Sequence, residues 1–476
     1  MHELHKKTKK ITELVLKSAE RARKETDSEP EPALTKPIEW PVDCIVGPGL
    51  EGAIACESKI GYVNGSKGWL IYRGYDIFDL CAHSTFEEVS YLLLQGNLPT
   101  KSQLSTFKKR LSLCHNVANT LRILLNFPLQ EMNPMAALRL GTNLMRQEFT
   151  HADHEGYKPP MAREISADED SIPMETVPMG EERAIYEFKR KKALREAKKI
   201  SSPQHYATGY NACYHLIGGT ASIAAAIGRI HEDHFPIEAD PKLSHAANLI
   251  YMMTGRRPSP EEERIMDISL ILHADHGINA STFASMVVAS TLSDIYLSVG
   301  AGIAALNGPL HGGANERVVS TLKEIGSRNK VKSWYKKIRK KKGKIMGFGH
   351  RVYKAYDPRA RVLRPLAEHL SKNNKESLSM FQIANDLEKE VTSTLGKEKK
   401  IFPNVDFYSG IVYHALGIPQ AMYTPIFAVS RVSGWTARVM EYLENNRIFR
   451  PRAIYTGPFN KKYVPLSKRV GKPNSK

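Results

Sequence analysis

The stretch Ser84-Thr85-Phe86-Glu87-Glu88-Val89-Ser90-Tyr91-Leu92-Leu93-Leu94-Gln95-Gly96 shows how most of this chain is built. Thr85 and Glu88 have the spacing of a capping box, which supplies partners to the free N–H groups of a helix start. Val89, Leu92, Leu93 and Leu94 then form an apolar face, and Gly96 and Pro99 end the helix. Working outward, helical windows follow at 102–114, 136–148, 205–230, 244–254, 260–276, 280–305, 361–373, 379–395, 407–416 and 428–445. Upstream, Gly61-Tyr62-Val63-Asn64-Gly65 and Trp69-Leu70-Ile71-Tyr72-Arg73-Gly74-Tyr75 read as short β pieces, with Asn64-Gly65 as a hairpin signal. Strand-like alternation is scarce elsewhere, so the chain reads as an all-α protein.

The 476 residues are 42% hydrophobic and 25% charged, which is ordinary for a globular protein with a sizeable core. No window has the ~18 or more apolar residues of a membrane span, so no membrane role is expected. Five scattered cysteines without a Cys-x-x-Cys pair exclude a disulfide framework and a zinc finger. Glu3, Glu13 and Glu20 argue against a transit peptide, and the expected location is the cytoplasm. The net charge is +18, but it is local. Eleven Lys/Arg against the single acid Glu324 lie between Thr321 and Ile345, and six more lie between Lys461 and Lys476. Two readings stand: a solvated face with a basic tail, or a site for a phosphate-bearing cofactor. Residues 1–45 read as an appendage, ending in a Glu/Pro-rich linker over 27–41. Residues 150–202 read as a polar insertion with a charged helix over 181–198.

Five clusters could do chemistry. In Leu272-His273-Ala274-Asp275-His276-Gly277-Ile278-Asn279, His273 and His276 are i,i+3 and would share a face if helical. They read as two hydrogen-bonded core histidines or as a metal pair lacking a third ligand. Gly308-Pro309-Leu310-His311-Gly312-Gly313 presents an imidazole among glycines, or is simply a turn before a helix. Met346-Gly347-Phe348-Gly349-His350-Arg351-Val352-Tyr353 does the same, and Asp357-Pro358-Arg359 follows with a guanidinium suited to a carboxylate. In Pro403-Asn404-Val405-Asp406-Phe407-Tyr408-Ser409-Gly410, Asp406 sits among apolar neighbours that would raise its pKa; alone, it is an acid in a first helical turn. Arg431 lies inside the apolar run Phe427–Trp435, where an internal acid or a bound anion must meet it.

In order and spacing these clusters resemble the citrate synthase family. The resemblance covers roughly 59–149 and 205–465, and Gly347-Phe348-Gly349-His350 with Asp357-Pro358-Arg359 is its most specific piece. The end motif Arg450-Pro451-Arg452-Ala453-Ile454-Tyr455-Thr456-Gly457-Pro458 resembles the bacterial and archaeal members. It implies an all-α homodimer with a large and a smaller helical domain. The large domain would span 46–311, interrupted by the insertion 150–202. The small domain would be 312–417, and 418–476 would return to the large one with a basic tail. The implied activity belongs to the tricarboxylic acid cycle: condensation of acetyl-CoA with oxaloacetate, then hydrolysis of the thioester.

By motif, Asp406 is the base, His311 hydrogen-bonds the thioester oxygen, and His350 donates to the oxaloacetate ketone. His276 holds that substrate, and Arg359, Arg431 and Arg450 bind its carboxylates, Arg450 from the partner subunit. Lys344, Met346, Gly347, Phe348 and Gly349 are the expected coenzyme A contacts. No metal, no permanently bound cofactor and no nucleic acid are expected. A dianion met by three guanidiniums and a thioester methyl activated by a neutral donor are consistent physical chemistry. The near alternative is 2-methylcitrate synthase using propionyl-CoA; a non-catalytic polyanion-binding relative is the other. One departure stands out: Gly277 replaces the acid that family members often carry after the second histidine. Neither 1–45 nor 150–202 has a counterpart in the resemblance.

Overall fold

The computed structural model describes residues 2–25, 40–146 and 209–468. The expected linker and the charged insertion fall largely outside them, as do the last residues of the basic tail. Helix α1 (His2–Glu25) precedes an antiparallel meander of β1 (Gly61–Asn64), β2 (Trp69–Tyr72) and β3 (Tyr75–Asp76). Asn64 pairs with Trp69, so the hairpin closes through four residues rather than two. The rest is helical: α2 (Ile77–His83), α3 (Phe86–Gln95), α4 (Lys101–Leu113), α5 (Ala118–Leu124), α6 (Pro134–Leu144), α7 (Tyr210–His231), α8 (His245–Thr254), α9 (Pro260–His273), α10 (Ala280–Ser290) and α11 (Ile295–Leu306). There follow α12 (Ala314–Ile325), α13 (Val331–Lys340), α14 (Pro358–Ser371), α15 (Lys375–Val391), α16 (Val405–Ala415) and α17 (Tyr423–Glu444), with a few single turns between. The all-α reading holds.

The caps follow the local sequence. Thr85 accepts from the Glu88 N–H at 3.3 Å, as the capping-box spacing predicts. The Glu88 side chain does not return the bond; it accepts from Ser84 Oγ at 2.6 Å. The window 280–305 is two helices. Asp294 caps the second through the Tyr296 N–H, and Leu292 turns the chain with φ +62°. No Gly or Pro marks that break, so apolar periodicity ran across it.

The core is organised around α17, which is buried from Tyr423 to Met440 and packs against α3, α6, α7, α9, α10 and α11. A helix apolar on every side must lie inside other helices. Trp435 is its largest fully buried side chain. Helices α12 to α16 form a second group, in which α14, α15 and α12 pack on α16.

Helix α1 is no appendage. Ile11, Val15 and Ala19 recur every four residues and are fully or almost fully buried, on α2 and α9 from one group and α14 from the other. Glu25 pairs with Arg361 of α14, and Arg361 lies over the Tyr356 ring at 4.6 Å. Val15→Asp would bury an unpaired carboxylate and Ile11→Ala would leave a void; the second costs about 2–5 kcal/mol. Both variants are therefore expected to lower the thermal unfolding midpoint, Val15→Asp more. Unchanged midpoints in both would mean that the helix does not dock.

Candidate active site

Three histidines, one aspartate and two arginines of the five clusters come together where α9, α16 and α17 meet the glycine loops. The first histidine pair separates. Helix α9 ends at His273, which is fully buried, with Nδ1 2.7 Å from the Ser269 carbonyl. His273 is thus the core histidine of the pair, and the shared-face reading fails because the helix stops there. His276 lies beyond the end, with Nε2 3.1 Å from Tyr353 Oη and its ring 5.1 Å from that of His350. Burial first, then the positive charges of Arg359 and Arg431, hold His276 well below the usual imidazole range.

His350 owes its orientation to the glycine loop. Gly347 and Gly349 have φ of +78° and +81°, which a side chain rarely adopts. Gly349 N–H donates to the Phe402 carbonyl at 2.9 Å, and Asn404 Nδ2 donates to the Gly349 carbonyl at 2.9 Å. The loop is therefore laced to the segment that enters α16. His350 Nδ1 accepts from the N–H groups of Val352 and Tyr353, both at 3.1 Å. Backbone N–H groups only donate, so the ring proton lies on Nε2, free to donate into the site. Burial, then Arg359, brings the imidazole down to about 4, so it is neutral near pH 7.

His311 is fixed by the same logic. Its Nε2 accepts from the Ser281 N–H at 3.3 Å and lies 2.8 Å from Ser281 Oγ, which Trp435 Nε1 also approaches at 3.3 Å. The proton then sits on Nδ1. Burial and the charge of Arg431 lower this imidazole to about 4.

Asp406 lies in the first turn of α16, which Asn404 caps through the Asp406 N–H. Burial raises its carboxyl to about 6; Asp357 adds to this, while Arg359 and Arg431 oppose it. Arg359 is buried and gripped by Asp357 in a two-point pair at 3.0 and 2.8 Å. Asp357 also accepts from the Val405 N–H at 3.2 Å, tying the arginine to the helix that carries Asp406. Arg431 is 1% exposed. Its Nε donates to the His273 carbonyl at 2.5 Å, its guanidinium lies over Phe427, and Nη2 is buried without a partner. Among the described residues no acid meets it by hydrogen bond. Burial pushes it down to about 10, still protonated at neutral pH.

Other expected residues are placed elsewhere. Arg450 is exposed in the irregular segment after α17 and makes no ion pair among the described residues. Lys344 is exposed, Met346 half-buried, and Phe348 buried with its ring on that of Phe407 at 4.5 Å. Tyr353 and Asp357 stand inside the quoted motifs and Ser281 two residues past the first of them, but their roles depend on partners far off in the sequence. At Gly277, where family members often carry an acid, the backbone N–H donates to Asp275 Oδ2 at 3.2 Å. Among the described residues no group of three or more His, Cys, Asp or Glu side chains could hold a metal. No helix there is long and apolar enough to cross a membrane.

The geometry leads to a testable titration. His311 and His350 should both titrate near pH 4, far below the ordinary ~6.5. Imidazole resonances followed by NMR, assigned through single His→Asn variants, check this; a midpoint above 6 for either would contradict its buried, acceptor-bound setting.

Comparison with known proteins gives a consistent result. The family model described as "Citrate synthase, C-terminal domain" matches residues 49–452. A citrate synthase of Deinococcus radiodurans is 40% identical over 425 residues, 89% of this chain and 99% of that protein. Among solved structures, the citrate synthase of Pyrobaculum aerophilum aligns with TM-score 0.74 at 38% identity, covering 91% of this chain and all of that one. The citrate synthase of Thermoplasma acidophilum, solved as a ternary complex with carboxymethyl coenzyme A and oxaloacetate, aligns with TM-score 0.72 at 32% identity over 88% and 97%. With a match this long, and with the glycine loops, histidines and buried arginines assembled in one place, the chain belongs to the citrate synthase family.

Proposed function

We propose that this site condenses acetyl-CoA with oxaloacetate and hydrolyses the resulting thioester to citrate and coenzyme A, as a step of a tricarboxylic acid cycle. The observation that carries the reading is the pair of neutral imidazoles, each with one nitrogen occupied as acceptor and the other left to donate, beside a carboxylate of raised pKa. Asp406, at about 6, is a stronger base than an exposed aspartate and remains ionised at neutral pH. It takes the methyl proton while His311 Nδ1–H donates to the thioester oxygen, where charge develops. His350 Nε2–H polarises the ketone of oxaloacetate, and His276 holds that substrate. The unpaired Nη2 of Arg431 and the guanidinium of Arg359 receive its carboxylates. The chemistry needs no metal and no permanently bound cofactor; the coenzyme A thioester is a co-substrate.

Asp406→Asn tests the assignment. It should cost on the order of 10³-fold or more in turnover while leaving oxaloacetate binding intact. In the unaltered enzyme kcat should fall tenfold per unit below about pH 6, because the raised pKa means the base is lost by protonation as pH falls through that value. A variant keeping more than about a tenth of the turnover, or a profile flat to pH 5, would remove Asp406 from this role. Parallel rates with propionyl-CoA measure the preference for the shorter acyl chain.

Residues 312–417 form the smaller domain in this reading, and it closes on the larger when oxaloacetate binds. The support is the division of groups, with His276 on one side and His350 and Asp406 on the other. The exposed Lys340, Lys341, Lys342 and Lys344 lead directly into the Gly347–Gly349 loop, which suits the phosphates of coenzyme A. The five free cysteines fit a reducing compartment such as the cytoplasm.

The protein works as a homodimer, and Arg450 serves the partner's site. Ile448, Ile454, Tyr455, Phe459 and Leu466 around it are strongly exposed, which an extended segment tolerates when a second subunit covers it. Mixing Arg450→Ala with Asp406→Ala should restore about a quarter of the activity, since about half the dimers are mixed and each has one complete site. No recovery after verified subunit exchange would mean that Arg450 does not act across the interface.

A further inference from the structure

Helix α17 carries a second buried guanidinium, Arg438, seven residues after Arg431 and so on the same face. It does not point at the substrate groups. Its Nε and Nη2 grip both oxygens of Asp275 at 3.1 and 2.7 Å, and Asp275 is fully buried. Arg438 Nη1 donates to Ser58 Oγ at 2.8 Å, and Nη2 reaches the Gly61 carbonyl at 3.4 Å.

Asp275 stands immediately before His276, and every polar group it has is engaged. Oδ2 accepts from the Gly277 N–H, closing a turn around His276. The Asp275 N–H donates to Tyr72 Oη at 3.2 Å, and the Tyr72 hydroxyl donates to the Asp275 carbonyl at 2.8 Å. The backbones come close here: a Cβ on Gly434 of α17 would lie 2.1 Å from the Ala274 carbonyl oxygen. A buried ion pair is a weak source of stability, because desolvation offsets much of its attraction. What a two-point fork supplies is direction. In this turn it fixes the peptide on each side of His276, while Tyr353 holds the ring from the opposite group of helices.

We propose that the Arg438–Asp275 pair is a positioning device for oxaloacetate binding, acting through His276 and touching no reactant itself. The proposal rests on the reading that His276 holds oxaloacetate. The experiment measures kcat and both KM values for Asp275→Asn, His276→Asn, the double variant and Ser58→Ala. Asp275→Asn should raise KM for oxaloacetate by about tenfold or more, with KM for acetyl-CoA changed less than about twofold. The double variant should show no further rise over His276→Asn, because the two residues act as a unit. Ser58→Ala loosens Arg438 without leaving a buried charge unpaired, and should raise KM for oxaloacetate by about two- to threefold.

An unchanged KM in Asp275→Asn beside a raised one in His276→Asn would defeat the pair and leave the reading of His276 standing. So would full additivity in the double variant. An unchanged KM in His276→Asn would overturn that reading and the proposal together. Should Asp275→Asn fail to fold, Ser58→Ala decides: no change in its KM for oxaloacetate overturns the proposal.

Discussion

A guanidinium in the middle of a helix that is apolar on every side is the constraint from which the site follows. Arg431 cannot leave its place without unpacking α17, and it cannot stay there without partners. The His273 carbonyl at the end of α9 supplies one, and Nη2 is left buried without a hydrogen-bond partner. Its charge is felt at His276, His311 and Asp406, the same groups whose burial already moves their proton affinity. For the histidines burial and the arginine act together and keep the rings neutral. For Asp406 they oppose each other, and burial prevails. One fixed cation therefore helps keep the donors neutral, while burial makes the carboxylate basic against its pull, all in one small volume.

The other half of the site is held mostly by backbone. The Gly347–His350 loop exchanges bonds with residues 402–404, and Asp357 binds both Arg359 and the start of α16. His350, Arg359 and Asp406 thus belong to one laced unit and would move together. The contact between His276 and Tyr353 is where that unit meets the α9–α17 side.

Much of this was legible from the sequence because helix periodicity and glycine-flanked histidines are local signals. The helical character, the residues expected at the site and the need for an internal acid or a bound anion at Arg431 all come from short stretches. What stayed hidden was set by contacts distant in sequence. Nothing near Ser281 says that it faces His311, and nothing near Tyr353 says that it meets His276. The i,i+3 spacing of His273 and His276 presumes one helix across both, but the helix ends at His273, three residues short of His276. Helix α12 is the helix expected after the His311 turn, whereas α13 was not expected: it buries only Val331 and Tyr335 under a basic surface, so its composition looks like charge rather than structure. The break at 291–294 was masked by apolar residues on both sides, although Asp294 was a readable cap.

Helix α1 has a consequence for the order in which the chain is made. Its stripe of Ile11, Val15 and Ala19 leaves the ribosome early, yet α14, which covers part of it, lies far along the chain. At ~5–20 residues per second, the roughly 330 residues between them take roughly 15 to 65 s to synthesise. Throughout that interval an amphipathic helix waits with part of its apolar side wet. A polypeptide halted before α14 would carry the mark of its incompleteness at the opposite end, as an uncovered stripe beside its own first residues.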